Sequence, residues 1–199
     1  MRKKIQHFCM LVLCAGIFGW SSCGQTTFDE IDEIPKTQEN NLFLIERSNI
    51  AYHFGQQRGF NWEPISVPKD VQILLLDNQY QAVDYYFLLK FNNWFKKLKF
   101  NNGIMPIDQE ENLDCDNFAM MYKSLMSVAS YKSKSKNEPA VALISVNQVH
   151  EFGGIPSGGM HMLNLIFTTR GWYVFEPQSN EIIEFSKYPN QEHIFNIIL

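Results

Sequence analysis

A cysteine acts as a nucleophile when its surroundings favour the thiolate, an imidazole stands by to hold and deliver a proton, and an acid orients that imidazole. Cys115, His161 and Glu176 offer those three types in that order along the chain. Asp114 precedes the cysteine, and Phe118, Tyr122, Leu125 and Ala129 follow at helical spacing, with Lys123, Ser124, Ser127 and Ser130 mainly on the other face. The pattern predicts a helix from about Cys115 to Tyr131, capped by Asp114, with Cys115 in its first turn. There, unpaired backbone amides and the positive end of the helix dipole favour thiolate over thiol.

His53, His150, His161 and His193 compete to be the partner base. His161 has the best context, because it opens a predicted strand, His161 to Phe167, just after the flexible pair Gly158-Gly159. Trp172 to Glu176 reads as the returning strand after Thr168-Thr169-Arg170-Gly171. His161 and Glu176 stand 15 positions apart, and across an even, unbulged hairpin loop an odd separation places both side chains on one face. With a four-residue loop, Glu176 falls opposite Leu163 and diagonal to His161, roughly 7 to 8 Å between α-carbons. Attack on an acyl carbon also needs donors for the oxyanion, for which the Cys115 amide and the Gln109 side chain are candidates. Asn164 and Gln178 on the hairpin are candidates to contact substrate.

The elements that must position these residues follow from periodicity and breakers. Asn78 and Gln81 have the spacing of a capping box, and Tyr80, Val83, Phe87, Phe91, Trp94 and Leu98 follow as an apolar stripe. A first helix is therefore expected, closed by Gly103 and Pro106, with Lys96, Lys97 and Lys99 as its solvated end. Lys132 to Lys136, with Asn137 and Pro139, reads as a loop, Val141 to Val146 as a strand and Ile182 to Phe185 as another. The expected class is α+β, helices first and an antiparallel sheet after.

The chain has 199 residues, 45% hydrophobic and 19% charged, enough to bury one core. Its net charge of −4 gives no general attraction for phosphates, so no nucleic-acid partner is expected. Residues 1–22 read as an export signal: Arg2-Lys3-Lys4, an apolar run too short to span a bilayer, then Ser21-Ser22 before Cys23. That order resembles a bacterial lipoprotein signal, although Trp20 stands where an aliphatic residue is usual. The resemblance implies a lipid on Cys23 and a place in the bacterial cell envelope, on the periplasmic or cell-surface side. Removing residues 1–22, with Arg2, Lys3 and Lys4, takes the net charge from −4 to −7. Cys9 and Cys14 leave with the signal and Cys23 is lipidated, so Cys115 is left as a lone thiol in an oxidising compartment. Residues 23–41, carrying Asp29, Glu30, Asp32, Glu33 and Pro35, are an expected acidic tether, and 42–199 an expected single domain.

Three segments together resemble a known family: Asp114-Cys115-Asp116-Asn117-Phe118-Ala119, Gly159-Met160-His161-Met162-Leu163-Asn164 and Trp172-Tyr173-Val174-Phe175-Glu176-Pro177-Gln178. They look like the papain-like cysteine-protease domain attached to the Marasmius oreades agglutinin and its bacterial and phage relatives, over about Val71 to Ile183. More distantly, the order is similar to transglutaminase-like peptidases, where Asp usually replaces this Glu and acyl transfer can replace hydrolysis. The resemblance implies a papain-like or transglutaminase-like α+β fold with the nucleophile at a helix start, a Cys-His-Glu triad and a peptide or protein substrate. It also extends calcium dependence to this chain as an expectation, with no metal-ligand spacing legible in Asp114, Asp116 or the tether. The agglutinin's sugar-binding β-trefoil has no counterpart here.

The function these readings lead to is a secreted, membrane-tethered cysteine peptidase or related acyl transferase, working through a thioester on Cys115 and needing no cofactor for its chemistry. Alternatives are a catalytically silent papain-like module that binds a peptide or cell-wall partner, a peptidoglycan amidase using the same residues, and a purely structural lipoprotein.

Overall fold

The computed structural model describes residues 33–36, 44–46, 68, 70–103 and 114–199. In chain order its elements are β1 (Leu44–Glu46), β2 (Gln72–Leu74), β3 (Gln79–Gln81), α1 (Tyr85–Asn101), α2 (Cys115–Lys132), β4 (Glu138–Pro139), β5 (Val141–Gln148), β6 (Gly159–Thr168), β7 (Gly171–Glu176), β8 (Glu181–Glu184) and β9 (Ile194–Ile198). The fold is α+β, two helices against a six-stranded sheet in the order β2-β9-β5-β6-β7-β8, with a small second sheet, β1-β3-β4.

Period-two alternation splits the sheet residues between two cores. Ala142, Ile144 and Val146 of β5, Leu163, Leu165 and Phe167 of β6, and Trp172 and Val174 of β7 join one cluster with Tyr80, Phe185, Tyr188 and Ile197. Val141, Ile166 and Phe175, at the intervening positions, join the helices instead, against Phe87, Leu88, Phe91, Phe95, Tyr122 and Met126. Tyr122 is the hub of that second core. Phe91 and Phe95 meet its ring edge-on at 5.3 and 5.1 Å, Phe175 lies at 4.4 Å, and its hydroxyl donates to Asn92 Oδ1 at 2.5 Å. Full burial of the ring is tolerated because the hydroxyl has that partner.

Three expectations change. The first helix starts at Tyr85, not near Asn78: Asp84 is its N-cap, accepting from the Phe87 amide at 2.8 Å, and Gln79–Gln81 is strand. The local box loses because Tyr80 is used elsewhere, its hydroxyl donating to the Leu199 carbonyl at 2.9 Å and accepting from the Asp77 amide at 2.7 Å. Second, strands precede the helices, and the sheets are mixed: β2 runs parallel to β9, and β3 to β4. Third, the strand β9, which no motif announced, lies between β2 and β5, second in the order of the six-stranded sheet. Among the described residues no helix is long and apolar enough to cross a membrane. The signal segment 1–22 and most of the tether, 23–41, lie outside them.

Replacing Asp84 by Ala removes the side-chain acceptor of the first turn of α1 and is expected to lower stability by about 1 kcal/mol. Chemical denaturation checks this, with Asn78→Ala as the comparison that should cost less.

Candidate active site

Helix α2 begins at Cys115 itself, so its thiol, half-buried and free of any disulfide, sits beside the unpaired first-turn amides. Asp114 occupies the N-cap position in extended conformation, but its side chain makes no capping bond. Asp116 hydrogen-bonds to it instead. A bond between two carboxyls requires a proton on one of them, and Asp116's pKa is accordingly raised, first by that bond and then by burial and the Asp114 charge. The capping role expected of Asp114 is thus replaced by a carboxyl pair.

Strands β6 and β7 pair from Asn164 opposite Phe175 to Thr168 opposite Gly171, leaving Thr169-Arg170 as a two-residue turn. The loop is shorter than the four residues expected, yet the register is the same, and Glu176 lies one step past the last paired residue. His161 is 7% exposed and Glu176 fully buried. The His161 Nε2 bonds Glu176 Oε2, and the other carboxylate oxygen, Oε1, accepts the Gln178 amide at 2.8 Å. The remaining ring nitrogen, Nδ1, is left for Cys115, whose side chain also hydrogen-bonds His161. Burial alone would lower the imidazole's pKa, but the bonds to Cys115 and Glu176 and the charges of both outweigh it, lifting it to about 9. Geometry and electrostatics therefore favour an imidazolium between two acidic partners.

Glu176 is held from two directions that the sequence pattern did not reveal. Lys99, expected on a solvated helix end, is 3% exposed. Its Nζ donates to the Pro177 carbonyl and, at 2.8 Å, to the Gln178 carbonyl, beneath the turn that carries Glu176. On the other side, Phe152 and Ile155 exchange backbone bonds of 3.2 and 3.0 Å around Gly153 and Gly154, both at positive φ, +61° and +77°. That two-residue turn packs Gly153 so closely that a Cβ there would lie 2.6 Å from Ser179 Oγ and 3.2 Å from Glu176 Cγ.

The remaining candidates separate. Asn164 is fully buried and donates its amide to the Ala119 carbonyl of α2 at 3.0 Å, so the substrate contact expected of it gives way to a tie between helix and sheet. Gln178 adjoins the site through its backbone, donating to Glu176 and accepting from Lys99. Gln109, Cys23 and His53 lie outside the described residues, and His150 and His193 pair with each other, ring centroids 6.4 Å apart. Among the described residues no group of three or more His, Cys, Asp or Glu side chains gathers to hold a metal.

No protein-family model and no curated protein matches the chain. A solved structure described as "PSL1a-E64 complex" is similar, with a TM-score of 0.54 and 14% identity, over 78% of this chain and 50% of that one. The likeness is one of fold. The chain spans half the length of that neighbour.

Because the folded-state pKa of His161 lies above the ordinary imidazole value of 6.5, its bonds contribute stability that is complete below pH 6.5 and is lost as pH rises through about 9. NMR titration of the ring should place its midpoint near 9, and Glu176→Gln should bring it down, since burial then acts with less opposition. A wild-type midpoint at or below 6.5 would contradict the geometry.

Gly153→Ala is expected to cost about 1 to 2 kcal/mol for a left-handed backbone, plus the contact with Ser179 and Glu176. Gly154→Ala is the control, since a Cβ there meets nothing within 4 Å. Equal losses of stability in the two variants would show that Gly153 does not hold the Glu176 turn in place.

Proposed function

We propose that the chain is a cysteine peptidase or related acyl transferase of papain-like fold, using Cys115 as nucleophile, His161 as acid and base, and Glu176 to orient the imidazole. The observation that carries this reading is a single one: His161 is bonded on one side to a buried carboxylate and on the other to a thiol at a helix start. The fold likeness to a neighbour described as a complex with E64 supports the scaffold assignment.

In this mechanism the Cys115 thiolate attacks a substrate carbonyl, forming the C–S bond and a tetrahedral oxyanion. The Cys115 amide, at the first helical position, donates to that oxygen. The intermediate collapses as the imidazolium of His161 protonates the leaving amine and the C–N bond breaks, leaving a thioester. Neutral His161 then takes a proton from water, or from an acceptor amine in the transferase case. The nucleophile displaces the thiolate, and the proton returns the imidazole to its starting state. Glu176, bonded to Nε2, keeps Nδ1 directed at the sulfur throughout.

The substrate class is a peptide or protein, including wall peptides if the chain acts as a peptidoglycan amidase. Calcium dependence stays a family-derived proposal, and no step requires the ion. The location that goes with this reading is the cell envelope, with Cys23 carrying the lipid.

Iodoacetamide should label Cys115 in the native protein at neutral pH at least about tenfold faster than it labels the unfolded chain, and His161→Ala should abolish the advantage. Cys115→Ser should keep the fold and lose hydrolysis of a denatured protein substrate. Labelling that appears only on denaturation would favour the catalytically silent binding module.

A further inference from the structure

Phe87, Phe91, Phe95 and Lys99 follow one another at four-residue spacing along α1, and all four are buried. The stripe that packs against Tyr122 thus ends in a cation where packing alone calls for an apolar side chain. Burying an ammonium is unfavourable unless its donors are met and its charge is balanced. Here each condition is met in part. The Nζ donates to two successive carbonyls, those of Pro177 and Gln178, and lies over the Phe95 and Phe118 rings at 5.1 and 5.4 Å. The carboxylate it feels is Glu176.

We propose that Lys99 is a positioning residue for the reaction: its buried ammonium clamps the turn after Glu176 through the Pro177 and Gln178 carbonyls and so holds the carboxylate in place on the His161 ring. This rests on the Cys-His-Glu reading and deepens it. The Pro177 and Gln178 carbonyls accept from the lysine while the Gln178 N–H donates to Glu176 Oε1. The three residues form a bracket with the carboxylate on one side and the ammonium on the other.

Other charges act on the bracket. Burial lowers the pKa of Lys99 to about 8, against the attraction of Glu176 and with the repulsion of Lys96. His161 is flanked by Cys115 as well as Glu176, and the buried hydroxyl of Tyr188 also feels Glu176. Of these groups, only Lys99 places a positive charge behind the turn that presents Glu176 to the imidazole.

The test compares wild type, Lys99→Met, Lys99→Arg and Glu176→Gln, using ring NMR of His161 and the rate of Cys115 alkylation by iodoacetamide at neutral pH. In folded Lys99→Met the Glu176–His161 bond is expected to loosen, lowering the His161 midpoint by about one pH unit, whereas loss of a cation alone would raise it, and alkylation is expected to slow by about tenfold, with Lys99→Arg recovering part of both. An unchanged or raised His161 midpoint in folded Lys99→Met overturns the proposal. If Lys99→Met does not fold, Lys99→Gln takes its place and the same two readouts decide. Failure of the catalytic reading itself has another signature, an alkylation rate unaffected by Glu176→Gln.

Discussion

A carboxylate shut away from water must have its charge answered by the protein, because the desolvation of an unpaired ion costs several kcal/mol. Glu176 is fully buried, and the local architecture follows from that constraint. One oxygen is met by the His161 ring and the other by the Gln178 amide. For that amide to reach back two residues, the chain must turn sharply after β7. The turn is then closed by the Asn180 amide donating to the Glu176 carbonyl at 2.7 Å, with Asn180 itself at φ +67°. Gly153 lies against the turn because a side chain there would strike it. The acid is less a residue added to a scaffold than the point around which this end of the sheet is folded.

Cys115 comes from the other layer, so its position depends on how α2 is tied to the sheet. Apolar packing around Tyr122 fixes the helix sideways but resists sliding along its own axis only weakly, since dispersion contacts have little directional preference. Hydrogen bonds supply the direction. Asn164 of β6 reaches the carbonyl of Ala119, one turn beyond Cys115, and Lys123, one turn further, donates to the Val141 carbonyl of β5. These two ties set how far the helix start projects toward His161, three residues before Asn164 on the same strand.

Cys115 at a helix start and the His161-Glu176 pairing across a hairpin were legible in sequence, because both depend on short-range periodicity. The parity argument was sound even though the turn proved to be two residues long, because shortening an even loop by extending the ladder leaves the register unchanged. What could not be read depended on distant partners. The Asn78-Gln81 spacing satisfied a local capping rule, but Tyr80 between them is claimed by Leu199, 119 positions away. The parallel pairing of β2 with β9 leaves no local mark, since neither strand is joined to the other by a turn. Asn164 could be placed on the hairpin but not assigned to its inner contact with α2. Lys99 did leave a signal: it continues the four-residue stripe of Phe87, Phe91 and Phe95, and only the habit of reading lysines as solvated concealed it.

The charges of the site, in the state the proposed mechanism uses, alternate in sign through space. The Cys115 thiolate meets the His161 imidazolium, that ring meets the Glu176 carboxylate, and the carboxylate faces the Lys99 ammonium across its own turn. Two negative and two positive charges sum to zero. Without the lysine, the same three groups would carry a net negative charge in surroundings largely closed to solvent, where unbalanced charge is disfavoured far more than in water. A cation at the end of an aromatic stripe is costly as packing, but as the fourth member of this set it leaves the whole without net charge.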